Sequence, residues 1–181
     1  MNYIFIILII TLSCSAPDKS ETIPVNLDLQ RKNIPISESF NIKYLYSENG
    51  KFKAKTAMNH ILEYIDERTK NNYLIADKGI VMEFYDSTGR SESKLTANYA
   101  KLYNKMSTAL FTGKVVVQNN KGEKLETEQL TWDKITNKIT SPTFVKITTQ
   151  KEIILGDGLE SDTQFQQYNI KKTRGTISFT D

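Results

Sequence analysis

The residues that could do chemistry in this sequence are few, and they form no catalytic set. His60 is the only histidine and Cys14 is the only cysteine. A Ser-His-Asp triad or a structural zinc site needs more such groups in a suitable arrangement. The glycines of Gly156-Asp157-Gly158 lack the spacing of a nucleotide-binding loop. We therefore predict a protein that is not an enzyme, with no catalytic residue, no metal site and no cofactor.

The charge and size of the chain exclude other classes of function. The formal charge of +3 comes from 24 basic and 21 acidic residues that are mixed along the chain, without a basic block. Nucleic acid is therefore not expected as a partner. A single cysteine allows no internal disulfide. With 181 residues, the chain suits one domain that can bury a core of its own.

The N-terminal segment is apolar but short. Residues 3–12 form an apolar run of ten, about half of the roughly 20 residues that a membrane-spanning helix needs. Such a run is typical of a signal peptide, and the following Leu12-Ser13-Cys14-Ser15 resembles a lipoprotein signal. We predict a signal peptide over 1–13, a lipidated Cys14 with a flexible tether over 14–22, and a domain over 23–181. The alternative is a retained short anchor in which Cys14 is a free thiol.

The rest of the chain has the pattern of β-strands. Tyr, Phe, Thr, Ile and Val are frequent, and glycine turns follow one another regularly at Asn49-Gly50, Lys78-Gly79, Thr88-Gly89, Lys121-Gly122 and Asp157-Gly158. Apolar residues alternate with polar ones between these turns, and also over residues 25–29. Residues 56–69 fit a helix or a strand, and the whole pattern favours an all-β fold.

A weak repeat runs through these strands. An apolar-x-small-x-x-apolar pattern after a turn glycine occurs at 52–57, 95–102 and 125–132, with a degenerate copy at 159–161. A step of three residues would turn a side chain to the other face of a flat strand. Each unit is therefore predicted to be two strand pieces joined at a bulge or corner. Stacked bent hairpins of this kind would form an open, twisted two-layer β-jelly-roll.

The order and spacing of these segments resemble the periplasmic lipopolysaccharide-transport family LptC. The resemblance covers residues 40–181 and rests on segments 44–52, 63–64, 80–85, 95–102, 111–117, 125–133 and 158–159. Similar repeats occur in the LptA-like jelly-roll proteins of the same superfamily. The short anchoring leader on a single domain favours LptC, although a lipidated Cys14 would replace the transmembrane helix of better-known members.

The resemblance implies a periplasmic role at the inner membrane. The domain would receive lipopolysaccharide from an inner-membrane ABC transporter complex and pass it to a downstream LptA-like jelly-roll protein by strand pairing. The C-terminal strand is the predicted docking edge, through Ile177, Ser178, Phe179 and Thr180. The inner face is predicted to bind acyl chains through Met82, Phe84, Phe111, Val115, Val117, Trp132, Val145 and Ile147.

Two other functions remain open from the sequence. One is a lipid-binding lipoprotein that works alone, with a closed cavity and protected edges. The other is a structural repeat module that only joins proteins, with a fully packed interior. The state of the sheet edges and the presence of a cavity distinguish these possibilities.

Overall fold

The computed structural model describes residues 34–66, 68–103, 107–163 and 167–179, and all regular structure within them is β-strand. The leader, Cys14 and the strand predicted at 25–29 lie outside the described residues. The segment that also fitted a helix begins inside a strand that continues to Ile65. The strands are β1 (Ser37–Glu48), β2 (Lys51–Ile65), β3 (Asn72–Ala76), β4 (Ile80–Tyr85), β5 (Ser91–Ala97), β6 (Tyr99–Tyr103), β7 (Thr108–Asn119), β8 (Lys124–Asp133), β9 (Lys138–Thr148), β10 (Glu152–Asp162) and β11 (Tyr168–Ser178).

These strands form one antiparallel sheet that follows the chain order. β2 pairs with β1 along one side, and with β3 and then β4 along the other. β3 and β4 therefore act as one interrupted strand, and so do β5 and β6, which pair with them and with β7. From β7 onward each strand pairs with the next, as far as β11. The sheet is a simple meander whose two outermost strands are β1 and β11.

The meander is folded along one line that crosses its strands. β3 is separated from β4 at Gly79, and β5 is separated from β6 at Asn98. The Gly79 amide donates to the Asn98 carbonyl oxygen at 2.9 Å, and the Asn98 amide donates to that of Gly113, also at 2.9 Å. Pairing thus continues through the fold line. We call the two parts of the sheet the β4/β5 half and the β3/β6 half.

The number of residues between the buried positions on either side of the fold line alternates from one strand to the next. They lie three residues apart at Ala97/Ala100 of β5/β6 and at Thr127/Leu130 of β8. They lie four apart in the neighbouring strands, as at Phe111/Val115 of β7. β7 accommodates its extra residue with positive φ angles of 77° at Gly113 and 50° at Lys114, where the register with β8 shifts. Each pass of the chain therefore changes half-sheet while its apolar side stays inward.

The predicted repeat is confirmed in two of its copies and wrong in detail in the others. Residues 95–102 and 125–132 place their corners as expected. In the first copy, Ala57 is half-buried, and the corner lies further on, between Met58 and Ile61, which are both buried. In the last copy, Gly158 is not a turn residue but lies inside β10 with a φ of 73°. Small residues occur on both faces of β2, so the pattern alone could not locate its corner.

The core lies between the two half-sheets. One row of cross-strand neighbours in the β4/β5 half has exposures from 0% to 7%, and consists of Met82, Leu95, Val117, Leu125 and Ile147. A matching row in the β3/β6 half consists of Ala100, Phe111 and Leu130. The two-layer β-jelly-roll of bent hairpins predicted from the sequence is confirmed.

Candidate functional site

The space between the half-sheets contains an apolar cavity of about 140 Å³ at one end. Its walls come from β2 and β4 in one half and from the end of β8 in the other. The residues that line it are Tyr46, Lys53, Ala54, Thr56, Met82, Phe84, Trp132 and Lys134. The cavity is therefore part of the interior layer, at the end where the core gives way to solvent.

Two aromatic rings join the half-sheets across this cavity. The rings of Phe84 and Trp132 meet edge to face, with centroids 5.7 Å apart. Both side chains are half-buried and pack against the core. Trp132 Nε1 is shielded from solvent and has no hydrogen-bond partner within the described part of the chain. Because a buried indole N–H usually finds an acceptor, Trp132 brings an unused donor to a wall of this cavity.

The mouth of the cavity is crossed by a contact between distant parts of the chain. Lys134, in the turn after β8, lies over the ring of Tyr46 of β1, with Nζ 3.7 Å from the ring centroid. The same ammonium donates a hydrogen bond to the Tyr46 hydroxyl. That hydroxyl in turn donates to Glu48 Oε1 at 2.9 Å. We call the Tyr46–Lys134 pair the mouth contact.

All eight residues predicted to bind acyl chains lie on the inner side of the sheet. Three of them, Met82, Phe84 and Trp132, line the cavity. The other five are packed within the core at 7% exposure or less, and are Phe111, Val115, Val117, Val145 and Ile147. The sequence identified the correct face, but alternation alone could not tell a filled part of the core from its open end. Lipid binding by these residues stays a prediction.

The predicted docking strand lies at one edge of the sheet. Among the described strands, β11 pairs with β10 alone, and Ile177 and Phe179 are 56% and 50% exposed. The Phe179 amide donates to the Lys151 carbonyl oxygen of the β9–β10 turn at 2.7 Å. Because amides alternate in direction along a strand, Ile177 also directs its N–H toward β10, whereas Ser178 directs its N–H to the free side. Thr180 lies outside the described residues.

The opposite edge, β1, is more apolar, although sequence reasoning did not single it out. Exposed large apolar side chains cluster on and just before this strand, at Ile34, Ile36, Phe40, Tyr44 and Leu45. An edge strand with such side chains is normally protected by charges, proline or a covering segment. β1 therefore has the character of a surface for strand addition.

A buried histidine fastens this edge strand to the sheet. His60 of β2 is 6% exposed and stacks on Phe40 of β1, with ring centroids 4.8 Å apart. Its Nε2 lies 2.8 Å from Glu38 Oε1, and its Nδ1 lies 2.5 Å from Asp77 Oδ1. The hydrogen bond with Glu38 and then that with Asp77 raise the pKa of His60 above 6.5, against the effects of burial and of Lys78. The lone histidine is thus a structural group.

The titratable groups of the described ranges are not arranged around a metal site or around a catalytic histidine. No group of His, Cys, Asp and Glu side chains there is arranged to bind a metal ion. Both nitrogens of His60 are occupied by carboxylates, and no nucleophile is hydrogen-bonded to the ring. None of the described residues forms a helix that could cross a bilayer.

The fold and these surfaces define a class: a folded β-meander with an apolar interior and, within the described residues, an edge strand on each side. A family model described as "Lipopolysaccharide-assembly, LptC-related" matches residues 4–178, and the chain belongs to this LptC family. It is therefore a non-enzymatic, periplasm-facing component of lipopolysaccharide transport that interacts with the Lpt system. A comparison with curated proteins found no match to the chain.

Proposed function

We propose that this protein receives lipopolysaccharide from an inner-membrane ABC transporter and passes it to a bridging LptA-like jelly-roll protein, with acyl chains held between the half-sheets. The observation that carries the proposal is the apolar cavity between Phe84 and Trp132, at the open end of the core. Each methylene that leaves water for such a site is worth about 0.8 kcal/mol. Retention of the lipid therefore requires no deep charged pocket.

The size of the cavity defines how the lipid would enter. One water molecule occupies about 30 Å³ in the liquid, so about 140 Å³ accommodates a segment of one chain. A lipid with several chains requires the half-sheets to move apart at this end. The half-buried Phe84–Trp132 contact is the aromatic contact that would be replaced, while the fully buried core beyond it would keep the two halves together.

The two edges that are unpaired within the described part of the chain support a place between two neighbours. β1 and β11 end the sheet on opposite sides, and both carry exposed apolar residues. Addition of a strand at β11 would extend the sheet, and its folded interior, into the next jelly-roll. A partner on the transporter side would use β1. A lipid carrier that works alone would need neither edge to be free.

The N-terminus supplies the membrane attachment in this proposal. A diacyl group on Cys14 anchors a domain far more firmly than one acyl chain. The segment over 14–22 would act as a tether at the inner membrane, ahead of the domain predicted over 23–181. If the leader is retained instead, the same tether would begin at the apolar run.

Site-specific photocrosslinking in cells tests the proposal. A crosslinking amino acid at Phe84 or Trp132 should capture lipopolysaccharide, whereas one at Gln118, exposed on the outer side of β7, should not. A third probe at Phe111, fully buried in the described structure, reports how far the half-sheets separate. Equal capture at Phe84 and Gln118, or capture at neither, would contradict the proposal. Co-purification of an ABC transporter from membranes then tests the partner.

A further inference from the structure

The mouth contact joins two distant parts of the chain at the rim of the cavity. Tyr46 and Lys134 are 88 residues apart and belong to opposite half-sheets. The position of Lys134 is well defined, because its backbone amide donates to the Ser107 carbonyl oxygen at 2.8 Å. Asp133 holds the same turn by accepting the amides of Ile135 and Thr136 at 2.8 and 3.0 Å.

The ammonium group of Lys134 lacks a direct anionic partner. Among the ion pairs of the described residues none includes Lys134, whereas Lys124, Lys138 and Lys146 each pair with a glutamate. Lys134 contacts the ring and hydroxyl of Tyr46 instead, and the nearest linked acid is Glu48, on the other side of that hydroxyl. This leaves a cation at the rim of an apolar cavity, held by a neutral group.

An anion would be a better partner for this lysine than Tyr46 is. An anion would add a Coulombic attraction between two opposite full charges, which the neutral ring and hydroxyl of Tyr46 do not offer to the ammonium. An amphiphile whose chain lies beside Trp132 would bring its headgroup to the rim, where Lys134 is. Glu48, which accepts the hydrogen bond of the Tyr46 hydroxyl, would repel the same headgroup. Binding of the headgroup therefore requires Lys134 to leave Tyr46.

We propose that Lys134 recognises the anionic headgroup of the bound lipid, and that Tyr46 holds this lysine across the mouth until the headgroup displaces it. The inference rests on the proposed function, because it requires the chain of the lipid to enter the cavity. It adds a specificity-determining residue, Lys134, for the anionic headgroup of that lipid. Entry of the chain and opening of the mouth then occur in one exchange of partners.

The single tryptophan of the sequence makes a direct test possible. The full chain, as processed by the cell, is placed in nanodiscs of zwitterionic lipid and titrated with 12-bromododecyl phosphate or 12-bromododecanol. The bromine quenches Trp132 fluorescence when the chain enters the cavity. Lys134→Gln should raise the half-quenching concentration of the phosphate about tenfold and leave that of the alcohol unchanged, whereas Lys134→Arg should behave like the parent.

Control variants separate the possible outcomes. Lys121→Gln, at the exposed β7–β8 turn, removes the same charge away from the mouth and should have no effect. Tyr46→Phe keeps the ring but removes the hydroxyl that competes for Lys134, so the phosphate should bind two- to threefold more tightly. Quenching by both probes without an effect of Lys134→Gln would overturn this inference alone. If neither probe quenches Trp132 in the parent, the proposed cavity binding fails, and the inference fails with it.

Discussion

Gly156 of β10 and Ile170 of β11 are packed so closely that no side chain fits between them. A Cβ atom built on Gly156 would lie 2.4 Å from Ile170 Cγ2 and 2.6 Å from the Lys172 carbonyl oxygen. Since one of these atoms belongs to the backbone, a rotamer change cannot make room. The glycine therefore determines how closely the edge strand approaches the rest of the sheet, close to the fold line.

Gly156→Ala should loosen β11 and lower the free energy of unfolding by about 1–3 kcal/mol, the usual cost of overpacking. Gly175→Ala is the matched control, because a Cβ there meets nothing within 4 Å and its φ is not positive. Hydrogen exchange measured strand by strand should show that Gly156→Ala speeds exchange in β11 more than in β4, relative to the parent. If β11 exchanges equally fast in Gly156→Ala and Gly175→Ala, β10 and β11 can move apart without a loss of stability.

His60 should stabilise the fold at low pH, and this stabilisation should be lost as the pH rises. Its pKa is raised in the folded state by Glu38 and Asp77, so the unfolded chain loses the imidazole proton first. The stabilisation is complete below pH 6.5 and is lost as the pH rises through the folded pKa. Urea unfolding of the parent and of His60→Gln should differ most at pH 6 and converge as the pH rises. A difference that grows with pH would contradict this assignment.

The losses of stability on truncating Phe111 and Phe84 should distinguish a core residue from a residue that lines the cavity. Phe111→Ala empties a fully buried site, and should lower the free energy of unfolding by about 3–5 kcal/mol. Phe84 is half-buried at the cavity, and its truncation should cost about 1–2 kcal/mol, since only part of its apolar surface leaves water on folding. Denaturation by urea measures both values. Equal losses would show that Phe84 is an ordinary core residue.

Partner binding at the free side of β11 should be sensitive to a proline at position 178. Ser178→Pro removes an N–H that points away from β10, so the sheet should stay intact while binding to a downstream LptA-like protein weakens at least tenfold. Ile177→Pro is a poorer test, because it removes a bond within the sheet. Ser178→Ala keeps the backbone donor and is the control. If folded Ser178→Pro binds as tightly as the parent, the docking edge lies elsewhere, with β1 as the next candidate.

Cys14 should be the N-terminal residue of the mature protein and carry lipid. Mass spectrometry of the membrane-extracted protein should show a modified Cys14, and Cys14→Ser should leave the leader uncleaved. Recovery of Met1 together with a free thiol in the parent protein would establish the retained anchor instead.

The sequence predicted the inner face and the bent strands because both depend on local periodicity. Leu95 and Leu102 lie on one buried face only if the chain turns between Ala97 and Ala100, and this can be inferred from spacing. The mouth contact could not be found in this way, because Tyr46 and Lys134 meet only after the sheet folds. The sequence excluded His60 from a catalytic set but did not reveal its structural role, because its two carboxylate partners come from β1 and from the segment after β3. No local signal connects those residues.

The chain-order meander also has a consequence for how the protein assembles. If β3/β4 and β5/β6 are each counted as one interrupted strand, every strand pairs with the strand made just before it, as in the β1–β2 hairpin closed by Asn49 and Gly50 with φ angles of 51° and 72°. Closing such short loops costs little entropy. A chain that emerges N-terminus first can therefore add one strand at a time to a growing sheet. The last strand to arrive, β11, never waits for a distant partner.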